Sequence, residues 1–182
     1  MKKRIVTKLS VESLEEALRQ IETYSKAVNK GIDNAVKTAT ETLYRKVIDN
    51  CDSGNLSEFT DAVKYSYDKK TNVGKVYVES GGYDKENGAS HGLVIIINEF
   101  GSGIKGTQDA YADAHNYQVN MSEKGERGWA YPKKDGTKGW THGIRSKRMF
   151  FEAYGEVKEQ FKNIVDMSID GEIGKLYDNK EG

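Results

Sequence analysis

Three stretches of this 182-residue sequence hold side chains that could do chemistry. His115 stands close in sequence to Asp109 and Asp113, and carboxylates with an imidazole can share a hard or borderline cation. Their alternation with alanine matches the ligand spacing of no recognised metal site, so no metal is expected. Ser102 lies in Gly101-Ser102-Gly103, which resembles a nucleophile's turn, but the full Gly-x-Ser-x-Gly pattern is missing and no helix signal follows. The glycines of 101–106 could cradle a phosphate, yet the Lys-Ser/Thr ending of a P-loop is absent. Trp129, Tyr131 and Trp140 are interleaved with basic residues as far as Arg145 and Arg148. That composition suits stacking on single-stranded nucleic acid, or anchoring a protein partner. None of these stretches yields a catalytic residue or a cofactor site.

The elements that must position these residues follow from periodicity. Apolar positions recur at Leu14, Leu18, Ile21, Val28, Ile32, Ala35, Ala39, Leu43 and Val47, which predicts one helix from about Val11 to Asn50 with Ser10 as its N-cap. At 1.5 Å per residue it would be about 60 Å long, and Gly31 is the expected place for a kink. A stripe this long exceeds what a small sheet covers, so part of it is expected to pack on a neighbouring subunit. Val63, Tyr65 and Tyr67 alternate with polar residues, and Val76 and Val78 share a face of a second strand after 68–72, predicting a hairpin. Leu93 to Ile97 reads as a central strand buried on both faces, because it is continuously apolar and β-branched. Phe100 is then expected to plug the core, and Gly101 to turn the chain at positive φ. From 101 to 145 no period is apparent, apart from a short strand expected around Tyr117–Met121, and a loop of that length is expected to be functional. Ser146 is the expected N-cap of a last helix carrying Phe150, Ala153, Val157, Phe161 and Ile164 toward the sheet. The fold class is therefore α+β: a long N-terminal helix, a small mainly antiparallel sheet, a long loop and a C-terminal helix packed on the sheet. It is read as a single domain over 1–182, with a core of about 11–169, a basic N-terminal arm at 1–10, an assembly loop at 101–145 and a C-terminal tail at 170–182.

Composition narrows the class without naming a function. Basic and acidic residues balance, hydrophobic residues make up 36% and charged ones 31%, which is polar enough to suggest faces completed by partners. Charge is unevenly placed: 1–8 and 123–148 are basic, whereas the positions from Glu152 to Glu172 lean acidic, a polarity suited to head-to-tail packing or simply to a solvated surface. A single cysteine excludes an intrachain disulfide and a multi-cysteine metal site, and suggests folding in a reducing cytoplasm. No signal segment opens the sequence and no apolar run approaches the roughly 20 residues a bilayer requires, so no membrane partner is expected.

Several short motifs, in order, resemble one family. Asp52-Ser53-Gly54-Asn55-Leu56 is similar to an Asp-Thr-Gly-x-Leu turn after the first helix, and Glu99-Phe100-Gly101-Ser102-Gly103 to a Glu-Phe-Gly-Ser/Thr-Gly turn. Arg148-Met149-Phe150-Phe151-Glu152-Ala153 is similar to a Phe-x-x-Ala start of a last helix. Across about 11–165 this succession resembles the tail-completion, or minor tail component, proteins of long-tailed bacteriophages, which join head to tail. The apolar run 93–97 departs from the Tyr-Ala pair common there. The resemblance implies a non-enzymatic structural subunit of the virion neck, assembled in the host bacterial cytoplasm into a homo-oligomeric ring, with an expected copy number of six. Its partners would be a head-side connector or adaptor and a tail terminator or tail tube protein, with nonspecific contact to genomic DNA in the lumen. Asp52, Gly54, Leu56, Glu99, Phe100, Gly101 and Gly103 would be its turn and assembly residues, and Trp129, Tyr131, Trp140, Arg145 and Arg148 its interface candidates. The competing readings are a sequence-nonspecific nucleic-acid-binding protein that uses the basic loop, and a metal-dependent hydrolase that uses His115.

Overall fold

The computed structural model describes residues 11–85, 88–108, 110–119, 129–132 and 136–178. The expected arm at 1–10, the Ser10 cap, Asp109, residues 120–121 and the last four residues lie outside them. The fold is α+β. Helix α1 (Val11–Ser53) leads through a short 3-10 turn (Ser57–Ala62) into the hairpin β1 (Val63–Asp68) and β2 (Val73–Val78). Then come α2 (His91–Phe100), α3 (Gly103–Thr107), α4 (Tyr111–Ala114), β3 (Trp129–Pro132), β4 (Lys138–Thr141), β5 (Gly143–Ile144) and α5 (Met149–Asp178). The described strands form two two-stranded sheets, β1–β2 and the antiparallel β3–β4, in which Trp129 faces Thr141 and Tyr131 faces Gly139. The chain divides into two compact units, one built from Met1–Thr40, Tyr67–Gly74 and Lys158–Gly182, the other from Glu41–Ser66 and Lys75–Val157.

In the first unit α1 and α5 run antiparallel. Gly31 is there for closeness: a Cβ at that position would lie 2.7 Å from the Cα of Ile169. Glu172, nearly buried, is held by Lys30 at 2.9 Å, by Lys175 and by the Asn34 amide. Its hydrogen bonds to Lys175 and then Lys30 keep its carboxyl below the usual range. Gly74, at the start of β2, admits the Thr40 side chain into space that a Cβ would occupy.

The second unit holds the larger core, formed by Val47, Cys51, Leu56, Phe59, Val63, Ile95, Met149 and Ala153. Val76 and Val78 pack against it from β2 and Phe150 from α5, as the alternation and the helical spacing predict. Burial, helped by Asp52 and Glu99 and opposed by Lys147, pushes the Cys51 thiol up to about 11. The turn after α1 is a Schellman motif: the Leu56 N–H donates to the Cys51 carbonyl at 2.8 Å and the Asn55 N–H to that of Asp52 at 3.0 Å. The left-handed residue is Asn55 (φ 59°) rather than Gly54, whose carbonyl instead accepts from Lys147 Nζ at 2.8 Å.

Four expectations are corrected. The run 93–97 is not a strand: it lies in α2, where the buried residues Gly92, Ile95, Asn98 and Glu99 fall at steps of three and four, a helical rather than two-sided burial. An apolar run this short does not distinguish buried strand from helix by composition. The stretch 101–145 is not structureless, since α3, α4 and β3–β5 fall within it, although 117–119 form no strand. The last helix starts at Met149, three residues after Ser146, because Arg148 takes a left-handed φ of 53°. Nor does it give way to a tail at 170, because Glu172 anchors a helix that continues to Asp178.

Candidate functional site

The site is assembled by α2. Ser90 caps that helix, its hydroxyl accepting the Leu93 N–H at 3.3 Å, and Gly101 ends it at φ 87° with its N–H on the Ile97 carbonyl. Glu99, 5% exposed, thereby faces the start of α5. One carboxylate oxygen accepts the Phe150 N–H at 2.9 Å, and the other accepts the Phe151 N–H at 3.4 Å and the Tyr111 hydroxyl. A buried acid thus satisfies two of the amides that a helix start leaves open, where the helix dipole also favours negative charge. The run-in is fixed by the same edge of α2, because the Asn98 carbonyl accepts the Lys147 N–H at 2.7 Å. Arg148 lays its guanidinium 5.1 Å from the centre of the Tyr111 ring.

Aromatic rings gather around this joint. Phe100 stacks on Tyr117 with centroids 4.3 Å apart and on Tyr111 at 5.6 Å, while Phe151 meets Tyr111 edge-on at 5.4 Å and His115 at 5.7 Å. Phe100 is therefore not the core plug expected of it. It is half-buried in an aromatic wall. The wall borders a groove of about 390 Å³ whose sides include Val76, Val78, Ile96, Phe100, Phe151 and Tyr154. Phe151 and Tyr154 are 49% and 56% exposed, so the groove presents apolar rings to the outside. Glu99 at its base is already engaged by three donors, and the His115 Nδ1–H donates to the Tyr111 carbonyl at 2.8 Å. Such an arrangement recognises apolar side chains better than it moves protons.

The glycines behind the wall allow a close crossing. Ser102 bridges to Ile144 and Gly103 to Gly143, and a Cβ on Gly101 would lie 2.9 Å from both Gly106 Cα and the Ile144 carbonyl oxygen. A short helix, α3, does follow Ser102, contrary to expectation, but Ser102 is buried and its backbone is paired with β5. Among the described residues no group of three His, Cys, Asp or Glu is placed to hold a metal ion. No described helix is long and apolar enough to cross a membrane.

No family model, curated protein or solved structure matches the chain.

Of the residues singled out in the sequence, Glu99 and Phe100 line the groove, Arg148 lies over the Tyr111 ring beside it, and Gly101 and Gly103 form the crossing with β5. Asp52, Gly54 and Leu56 belong to the end of α1, with Leu56 in the core. Trp129 and Tyr131 lie on β3, Trp140 on β4 is 60% exposed, and Arg145 is exposed; neither Trp140 nor Arg145 lines the groove. Tyr111 and Tyr117 stand out in the sequence as aromatics of the 101–145 stretch and Phe151 falls within a motif, but sequence reasoning assigned none of them to a site, and it did not single out Tyr154. The pair Phe151 and Tyr154, three apart on a helix and off the face that carries Phe150, Ala153 and Val157, is the signal that could have pointed to a second apolar face.

Proposed function

We propose that this chain is a structural subunit of the neck of a long-tailed bacteriophage, one that forms a closed ring, most simply of six copies, between the head-side connector and the tail. The motifs set out above suggest the family, and one structural observation supports the assembly. Val11, Leu14, Leu18 and Ile21 are 73%, 49%, 60% and 57% exposed along one side of α1. They occupy the same heptad seam that, farther along, buries Ala35 and Ala39 within the unit. Solvated single leucines are ordinary, but four large apolar residues in register make a continuous contact surface. Glu99, the acid at the groove, holds α5 in place, which suits a structural role rather than an enzymatic one.

The test is genetic and visual. A phage carrying a stop codon early in this gene is expected to accumulate DNA-filled heads and separate tails, and the particle rescued with a tagged chain is expected to carry the tag as a ring at the neck. Tagged copies on the capsid surface or along the tail, or present as a two-fold dimer in the neck, would overturn the reading.

A further inference from the structure

Strand β4 turns one side to solvent. Lys138 and Trp140 are exposed and Gly139 between them is buried, the alternation of a strand with a single outward face. Trp140 is 60% exposed, and the His142 ring stands edge-on to it with centroids 6.4 Å apart. The crossing behind brings a second element to this face. Gly143 and Ile144 of β5 bridge to Gly103 and Ser102, so α3 comes alongside and the Lys105 N–H reaches the His142 carbonyl at 3.4 Å. Arg145 follows β5 directly.

Charge here has one sign. The described residues of 101–108 and 136–148 include Lys105, Lys138, Arg145, Lys147 and Arg148 and no Asp or Glu. Two of those cations are committed, Lys147 to the Gly54 carbonyl and Arg148 to the Tyr111 ring. Lys105, Lys138 and Arg145 are exposed and, among the described residues, take part in no ion pair. We infer that the face of Lys138, Trp140 and His142, with Lys105 and Arg145 beside it, binds a single-stranded nucleic acid without reading its sequence. A base stacks on the open indole, and the cations take neighbouring phosphates. A protein partner is the poorer fit, because lysine is depleted from protein interfaces whereas a phosphate chain rewards it. A duplex offers only base edges in its grooves and would leave the indole unused, so the exposed ring favours a single strand. Stacking on one ring supplies no hydrogen bonds to base edges, so no sequence is read. The surface is complete on one copy and needs no ring of subunits.

The test titrates the full chain with a thymidine oligonucleotide of about 12 nucleotides while tryptophan fluorescence is followed. Binding should quench the emission, and the logarithm of the affinity should fall with that of the salt concentration at a slope of about −2, roughly −0.7 for each of three phosphate contacts. Trp140→Ala should weaken binding by about 5- to 150-fold, and Trp140→Phe by less, with the emission of the remaining Trp129 unchanged on binding. Lys138→Gln should make the slope shallower by about 0.7. Melting of all three variants should match the parent chain, since both side chains are exposed. A duplex of the same length should bind more weakly and without quenching. No binding at low salt, unchanged affinity in a folded Trp140→Ala, quenching that persists in Trp140→Phe, an unchanged slope in Lys138→Gln, or equal binding of the duplex would each overturn the inference. Competition by polyglutamate as strong as by unlabelled oligonucleotide would also overturn it, and would favour an acidic protein as the partner.

Discussion

The carboxylate of Glu99 accepts the backbone N–H of Phe150 at 2.9 Å, so a residue near the end of α2 caps a helix that begins some fifty positions later. This contact ties the core to the groove, because the same carboxylate also takes the Tyr111 hydroxyl. Replacing Glu99 by alanine leaves those buried donors without an acceptor and should cost about 1–3 kcal/mol in urea unfolding. Glu99→Gln should recover only part of that loss, since its NH₂ would face a backbone N–H. Hydrogen exchange in the first turn of α5 should accelerate in both variants, and an unchanged unfolding midpoint in Glu99→Ala would show that the cap contributes nothing.

Gly101 and Gly155 make a paired prediction of opposite sign. Gly101 has φ 87° and three close backbone neighbours, so Gly101→Val should distort the crossing with β5 and destabilise by more than the roughly 1–3 kcal/mol of backbone strain alone. Gly155 lies inside α5, and a Cβ there would meet nothing within 4 Å, so Gly155→Ala should stabilise the chain by about 0.5–1 kcal/mol. Thermal melts of the two variants check both signs.

Phe100→Ala should cost about 1.5–3 kcal/mol, the worth of a partly buried aromatic stacked on Tyr117 and, at longer range, on Tyr111, and less than the roughly 3–5 kcal/mol of a ring removed from a core. Chemical denaturation gives the number. A loss at the upper end of the core range would mean that Phe100 carries the packing the sequence first suggested.

How much of this was legible depended on range. The steps of three and four in α1 and the alternation around Tyr65 and Tyr67 are local patterns, and both elements stand where the spacing puts them. The hairpin turn was equally local: Asp68 accepts the Lys70 N–H at 2.8 Å and Asn72 takes φ 52°. The run 93–97 misled because three adjacent isoleucines favour strand by type, while the helix was encoded in less conspicuous residues. Ser90 could cap, Gly92 could approach the Glu79 carbonyl with no Cβ in the way, and Glu99 could reach the next helix. The groove was not legible at all, because Val78, Tyr111 and Phe151 become neighbours only through tertiary packing. The exposed seam was half-legible: its length was apparent, but not that Val11, Leu14, Leu18 and Ile21 would be its exposed part.

The last prediction concerns acid. Asp61 pairs with His91 Nδ1 at 2.5 Å and accepts the Gly82 N–H at 2.8 Å, and His91 in turn sets its ring edge-on to Phe59 at 5.2 Å. The hydrogen bond to His91, more than the Gly82 amide, holds the Asp61 carboxyl below its ordinary value. A carboxyl whose pKa is lowered by folding contributes stability that is fully present above its unfolded value, about 3.9, and that is lost as pH falls toward the folded value. Unfolding midpoints measured from neutral pH downward should therefore fall below about pH 4, and Asp61→Asn should fall less steeply there because it has no proton to take up. Asp61 is largely exposed, so the difference should be small and should shrink further in high salt. Parallel pH profiles for the parent chain and Asp61→Asn would show that the pair at the head of α2 does not contribute to stability.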